Sequence, residues 1–124
     1  MFRNVGLFDL LRYRLPVPGL ASILHRISGV VLFLGMLLVL PLLQMSLASE
    51  AGFEAVRSAV WGHPLGKLAL LALLLATLYH LLAGLRHLVQ DANYWLEPGA
   101  SRRSAWLTIG VSVLLTAVVA LRLG

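Results

Sequence analysis

Two short stretches of this 124-residue chain hold the residue types that could do chemistry. The first contains Ser22, His25 and Arg26, and the four-residue spacing of Ser22 and Arg26 puts both on one face of a helix. A hydroxyl and a guanidinium on one face can hydrogen-bond a small polar headgroup and stabilise charge on it. The structural alternative is that Ser22 caps the helix while Arg26 extends to lipid headgroups.

The second stretch carries a histidine inside a long apolar run. His87 follows His80 by seven positions, which puts it on nearly the same helix face about 10.5 Å further along the axis. Asp91 comes one turn later, and Gly84 leaves a gap on that face, as a flat macrocycle lying against the helix would need. Because an ionisable residue is costly in a membrane, His80 indicates a functional site.

Two hypotheses for His80 follow from residue chemistry. Neutral imidazole is a common haem ligand, and an arginine or a second histidine about 10 Å away could meet the propionates. The other hypothesis is a structural histidine that hydrogen-bonds across a helix bundle. The nearby Gly84, Arg86, His87 and Asp91 favour ligation. Only His80 is deep enough, so a six-coordinate haem would need its second histidine from another chain.

The composition is typical of an integral membrane protein. Hydrophobic residues make up 60% of the chain and charged residues 12%, with a mean hydropathy of +0.90. A soluble domain of this length could not bury so much apolar surface. The ten Lys and Arg, against five Asp and Glu, are scattered between apolar runs, which argues against a nucleic-acid partner. With no cysteine, iron would be held by histidine.

Three apolar segments meet the length of about 20 residues that a membrane span needs. They cover about residues 22–47, 66–90 and 104–121. The sequence therefore predicts an all-α membrane protein with three transmembrane helices, in a single domain over residues 1–124 that belongs to a heterologous helix bundle. The first span lacks the cleavage site of a signal peptide, and we expect it to be retained.

The connections between the spans have patterns of their own. Pro41 is expected to bend the first helix without ending it. Phe53, Val56 and Val60 have helical spacing and predict a short helix in the membrane interface. The second connection, residues 91–103, is predicted to be a turn with aromatic residues at the interface. His63, in the first connection, is assigned no role.

Basic residues are unequally divided between the two sides of the membrane. One side is predicted to hold Arg3, Arg12, Arg14, Arg26, Arg86, Arg102 and Arg103, and the other Arg57, Lys67 and Arg122. Because positive residues favour the cytoplasmic side, we expect a multi-pass protein of the inner (cytoplasmic) membrane with its N-terminus in the cytoplasm, or in the matrix of an organelle.

At the two polar stretches the sequence resembles the cytochrome b subunit of succinate dehydrogenase, the larger of its two membrane anchors. Residues 21–30, ASILHRISGV, resemble the first signature of that family, S-I-x-H-R-x-S/T-G. The second signature, H-x-x-x-G-x-R-H-x-x-x-D, is matched at His80, Gly84, Arg86, His87 and Asp91. The likeness covers nearly the whole chain, although the R-P-x-S-P-H-L type segment usual ahead of the first span does not occur in residues 1–16.

This resemblance implies a role for each residue. His80 is implied as the axial ligand of haem b, with the second ligand from the smaller anchor, while Gly84 would pack against the haem. Ser22 and Arg26 match quinone-site positions. The positions near the haem propionates are His25, Arg26 and His87, and Asp91 matches an acidic position of the quinone and haem region with a possible role in proton transfer.

The resemblance also implies the partners and the function. The family forms a complex of flavoprotein, iron-sulfur protein and two membrane anchors, in which electrons pass from succinate to quinone. The chain would be a non-catalytic subunit that binds haem b and lines the quinone site. Two alternatives are a haem-free structural anchor and a small transporter subunit in which His80, His87 and Asp91 relay protons.

Overall fold

A computed structural model describes residues 17–123, and these residues form four helices and no strand. The helices are α1 (Val17–Ala48), α2 (Glu50–Trp61), α3 (Pro64–Asp91) and α4 (Pro98–Leu123). Helices α1, α3 and α4 are long and apolar enough to cross a membrane. The predicted all-α fold with three spans and one short helix is therefore confirmed. The N-terminal arginines Arg3, Arg12 and Arg14 lie outside the described residues.

The long helices run alternately up and down. Near the start of α1, the carbonyl of Ala21 accepts a hydrogen bond from Tyr79 Oη in the second half of α3, at 2.6 Å. At the opposite end, Lys67 Nζ near the start of α3 donates to the carbonyl of Leu123 at 3.4 Å. The beginning of α1, the end of α3 and the beginning of α4 therefore share one end of the molecule, which we call the site end.

The interior is made of small side chains, and the large apolar side chains face outwards. Phe33 is 65% exposed, Leu37 60% and Leu114 63%. The buried positions of the long helices are largely small, namely Ala21, Ser28, Ala76, Ala83, Ser104, Ala105, Thr108 and Ser112. Such an arrangement would be unstable in water, but it is usual among membrane helices, which pack closely through small residues and expose apolar ones to lipid.

Helix α2 has the amphipathic form predicted from its spacing. Helix α1 continues through Pro41 to Ala48, and the chain then turns at Ser49. The Ser49 hydroxyl caps α2 by accepting a hydrogen bond from the Gly52 amide at 2.9 Å. Val56 and Val60 are half-buried, whereas Phe53 is exposed. The short helix between the first two spans is thus confirmed.

Helix α3 begins at His63 and Pro64, for which no role is predicted from the sequence. His63 is the N-cap, and its Nδ1 accepts a hydrogen bond from the Leu65 amide at 3.2 Å. Pro64 follows in the first helical turn, where its fixed φ and missing N–H cost nothing. His63 therefore has a structural role at the end opposite the site end.

The connection between α3 and α4 is shorter than predicted. It covers only residues 92–97, because Pro98 already belongs to α4 and the Ser101 amide donates to the carbonyl of Glu97 at 2.8 Å. Proline suits this first turn, so the expected turn over residues 91–103 is wrong in its second half. The exposed Tyr94 and Trp95 lie in the short connection, as expected for interfacial aromatic residues.

Candidate functional site

The His80 side chain extends from α3 to α1, and residues of α1 are its hydrogen-bond partners. Nδ1 lies 3.0 Å from Ser28 Oγ and 3.3 Å from the carbonyl oxygen of His25. The Ser28 hydroxyl itself donates to that carbonyl at 2.7 Å, so its oxygen is left to accept. This network assigns the proton to Nδ1 and the lone pair to Nε2. Within residues 17–123, Nε2 has no hydrogen-bond partner.

Two residues bring α1 and α3 close enough for this contact. A Cβ atom at Gly29 would lie 3.2 Å from Cε1 of His80, so glycine is what lets the imidazole approach α1. One residue before His80, the buried Tyr79 holds the helices together through its hydrogen bond to the Ala21 carbonyl. The sequence alone predicts no role for Ser28, Gly29 or Tyr79, although Ser28 and Gly29 form the S/T-G pair of the first signature.

His25 lies between the two histidines of α3. Its ring stacks on that of His80 with centroids 4.2 Å apart and planes 6° from parallel. On the other side, the His87 ring meets it edge to face at 5.1 Å. A Cβ atom at Gly84 would lie 3.6 Å from His25 Nε2, so Gly84 borders His25. We call His25, His80 and His87 the histidine cluster.

The histidine cluster is not a closed metal site. In the part of the chain that the structure describes, no group of three or more His, Cys, Asp or Glu side chains has the arrangement to hold a metal ion. Stacking covers a face of the His80 ring, whereas the Nε2 lone pair lies in the ring plane. A haem iron needs only one imidazole from this chain if another chain provides the second.

The chemistry of His80 fits a haem ligand. Metal-ligating histidines donate their other ring N–H to a carbonyl or another acceptor, which fixes the tautomer and orients the ring. Nδ1 of His80 has two such acceptors on α1, the Ser28 hydroxyl and the His25 carbonyl. The residues present therefore suit a haem bound at Nε2.

Ser22 and Arg26 lie on α1 beside the histidine cluster. Helix α1 already includes Val17, so Ser22 is inside the helix, and the interpretation of Ser22 as a helix cap is wrong. Ser22 is half-buried and Arg26 is exposed. Neither side chain has a hydrogen bond or ion pair with another of the described residues. Both groups are therefore available to a ligand or to a partner chain.

Arg86 contacts α4, unlike the histidines of the second signature, which lie against α1. Its side chain is buried, and Nε donates to Ser104 Oγ at 2.9 Å. Nη2 donates to the carbonyl and the hydroxyl of Ser101, at 3.1 Å each. Arg86 thus fastens α3 to α4 through these hydrogen bonds. Asp91 is the last residue of α3 and is exposed.

Comparison with known proteins identifies the family of this chain. The sequence profile described as "Succinate dehydrogenase/Fumarate reductase transmembrane subunit" matches residues 7–119. The chain is 40% identical over 106 residues to the succinate dehydrogenase cytochrome b556 subunit of Coxiella burnetii, covering 86% of this chain and 85% of that protein.

Two further relatives agree. The cytochrome b556 subunit of Paracoccus denitrificans succinate dehydrogenase is 39% identical over 105 residues, 83% of this chain and 78% of its own length. The cytochrome b560 subunit from Reclinomonas americana is 36% identical over 110 residues, 86% of this chain and 76% of its own. Three membrane-spanning helices, two matched signatures and these relatives together show that the chain belongs to the succinate dehydrogenase/fumarate reductase transmembrane subunit family.

Proposed function

We propose that the chain is the non-catalytic membrane anchor of a succinate dehydrogenase, binds haem b through His80 and forms one wall of the quinone-reduction site. One observation carries the proposal: Nδ1 of His80 is held by Ser28 and the His25 carbonyl, which leaves the Nε2 lone pair unused. Family membership supports the same function.

The haem would be shared with a second membrane-anchor subunit. When bound, haem b supplies a one-electron redox centre within the membrane. The His25 ring stacks directly on that of His80 with centroids 4.2 Å apart, which leaves no room for a metal ion between the two rings. His25 therefore does not serve as the second ligand, which is left to the partner anchor. His25, His87 and Arg26 would donate hydrogen bonds to the propionates, and Gly84, which borders His25, would pack against the haem.

The quinone would bind at the site end, near the beginning of α1. Ser22 would donate a hydrogen bond to a quinone carbonyl oxygen, and Arg26 would stabilise negative charge that develops there during reduction. Asp91, exposed at the end of α3, is available for proton transfer from water. The iron-sulfur subunit would dock on this end and connect it to the flavoprotein, where succinate is oxidised.

The site end is assigned to the cytoplasmic side of the inner membrane, or to the matrix side in an organelle. Among the described residues, Arg26, Arg86, Arg102 and Arg103 belong to this end, whereas Arg57, Lys67 and Arg122 belong to the other. The excess of positive charge supports this orientation.

A haem-free anchor is the first alternative, because a structural histidine would also make the bond between His80 and Ser28. The two hypotheses differ in whether Nε2 binds iron, which a pyridine haemochrome assay of the purified complex decides. In the proton-relaying transporter, the second alternative, the chain would purify without dehydrogenase subunits. No hydrogen bond joins Asp91 to His87 or His80 among the described residues, so the relay would need bridging water.

The test of haem ligation compares two histidine variants of the intact complex. His80→Ala should abolish the b-type absorption band of the reduced complex, because it removes the Nε2 ligand. His63→Asn is the control, since asparagine keeps the helix cap at the opposite end. An unchanged b-type band in His80→Ala, in complex of normal subunit composition, rejects the assignment.

The test of the quinone site compares two arginine variants. Arg26→Gln should lower succinate:quinone reductase activity while leaving succinate oxidation by an artificial acceptor unchanged, because Arg26 would act only at the quinone and the haem propionates, which the artificial acceptor bypasses. Arg102→Gln, also exposed and at the same end, should leave both activities unchanged. If Arg26→Gln keeps wild-type quinone reductase activity, Arg26 has no role at the quinone.

A further inference from the structure

A groove between α3 and α4 lies apart from the histidine cluster. Its volume is about 460 Å³, and its walls are largely apolar, with Leu85 on α3 and Leu107 and Val111 on α4. Arg86 and Arg103 also line it. We call it the α3–α4 groove. The groove therefore combines apolar walls with two cationic side chains.

The buried guanidinium of Arg86 lacks a counter-charge. Arg86 is 4% exposed, and its hydrogen-bond acceptors, Ser104 Oγ and the carbonyl and hydroxyl of Ser101, are all neutral. In the described part of the chain the only ion pair is that of Arg57 with Glu54 on α2. Nη1 of Arg86 makes no hydrogen bond to any described residue. A buried, unneutralised cation is costly, and an anion in the groove would offset that cost.

The depth of Arg86 matches the polar layer of a bilayer. It comes five residues before the end of α3 at Asp91, about 7.5 Å along the helix axis. Arg103, in the second turn of α4, adds a second positive charge to the same groove. Trp95, which also lines the groove, is the kind of residue that marks the membrane interface.

We propose that the α3–α4 groove binds an anionic phospholipid of the leaflet at the site end. Its phosphate would lie between Arg86 and Arg103, and one acyl chain would follow Leu85 and Val111. Charge complementarity selects this occupant, because an anionic headgroup neutralises Arg86 while its hydrocarbon tail fills the apolar part. A zwitterionic lipid would fill the same space without neutralising the charge.

Lipid selectivity of the purified complex tests the proposal. The complex is stripped in detergent and titrated with spin-labelled phosphatidylglycerol or phosphatidylcholine. We expect a preference for phosphatidylglycerol that Arg103→Gln lowers about fivefold, the effect of one basic residue beside an anionic lipid surface. Arg102→Gln is the control, because Arg102 is exposed on the same turn but does not line the groove. Equal binding of the two lipids, or equal losses in the two variants, overturns the proposal.

A photo-crosslink identifies what occupies the groove. The chain has no cysteine, so Val111→Cys introduces a single site for a benzophenone label, and Val113→Cys gives an exposed control outside the groove. The label at position 111 should form adducts with phosphatidylglycerol in excess of those at position 113. Adducts with another polypeptide, or no excess over position 113, would show that the groove is not a lipid site. Neither experiment depends on haem or quinone binding.

Discussion

Replacing Ser28 with Ala removes the hydroxyl that lies 3.0 Å from Nδ1 of His80. The His25 carbonyl stays at 3.3 Å as a longer acceptor, so the imidazole keeps its tautomer but is held less firmly. One net hydrogen bond contributes about 1 kcal/mol, or about fivefold in an equilibrium constant. Removing an outer partner of a metal-ligating histidine typically weakens metal binding about 10- to 100-fold. With one acceptor left, we expect haem affinity to fall about five- to tenfold.

The assay for Ser28→Ala is the rate of haem loss from the purified complex to excess apomyoglobin, followed in the Soret band. Ser46→Ala is a matched control. The Ser46 hydroxyl donates to the Leu43 carbonyl at 2.8 Å, just as the Ser28 hydroxyl donates to the His25 carbonyl at 2.7 Å. Ser46, however, has no hydrogen bond to a histidine ring among the described residues. Ser28→Thr keeps the hydroxyl and should retain haem. If the Ser28 and Ser46 variants lose haem at the same rate, Ser28 does not orient His80.

Two further predictions concern how α1 meets α3. Gly29→Ala should lower the haem content of the complex, because the new methyl would lie 3.2 Å from Cε1 of His80 and displace the ring. Gly110→Ala, with nothing within 4 Å, should keep full haem content, and equal content in both variants would contradict the close approach at Gly29. Tyr79→Phe removes the buried 2.6 Å bond to the Ala21 carbonyl and should lower stability by about 1 kcal/mol. Thermal unfolding of the complex measures this loss of stability. An equal loss in Tyr94→Phe, whose side chain is exposed, would contradict the role of the Tyr79 hydrogen bond.

Much of the fold follows from hydropathy and helical spacing. Apolar length predicts α1, α3 and α4, and the spacing of Phe53, Val56 and Val60 predicts α2. The sequence does not predict the start of α4, because Pro98 and Gly99 are also typical of a turn. Proline is also common in the first turn of a helix, so the sequence alone does not decide between a turn and a helix start at Pro98.

Part of the site follows from the sequence, and part depends on contacts between helices. The spacing of His80 and His87 predicts one face of α3, and His25 indeed lies against both rings. Spacing within α3 says nothing about which α1 atoms reach Nδ1, so Ser28 was not found. Spacing within α3 also groups Arg86 with the histidines, whereas its hydrogen-bond partners Ser101 and Ser104 belong to the next helix.

The hydrogen bond between Ser28 and His80 does not by itself show whether His80 binds iron. A histidine that bridges two helices and a histidine that binds iron both use one ring nitrogen for the protein. Both leave the other ring nitrogen free, as Nε2 is here, so iron bound at Nε2 is what separates a ligand from a simple bridge.

A cryo-electron microscopy structure of the complete complex in lipid tests the central claim most directly. We predict a porphyrin whose iron is bonded to Nε2 of His80 and to a histidine of a second membrane subunit, with Nδ1 of His80 still hydrogen-bonded to Ser28. A map in which Nε2 contacts only protein or acyl chains, with no porphyrin beside residue 80, would contradict the account.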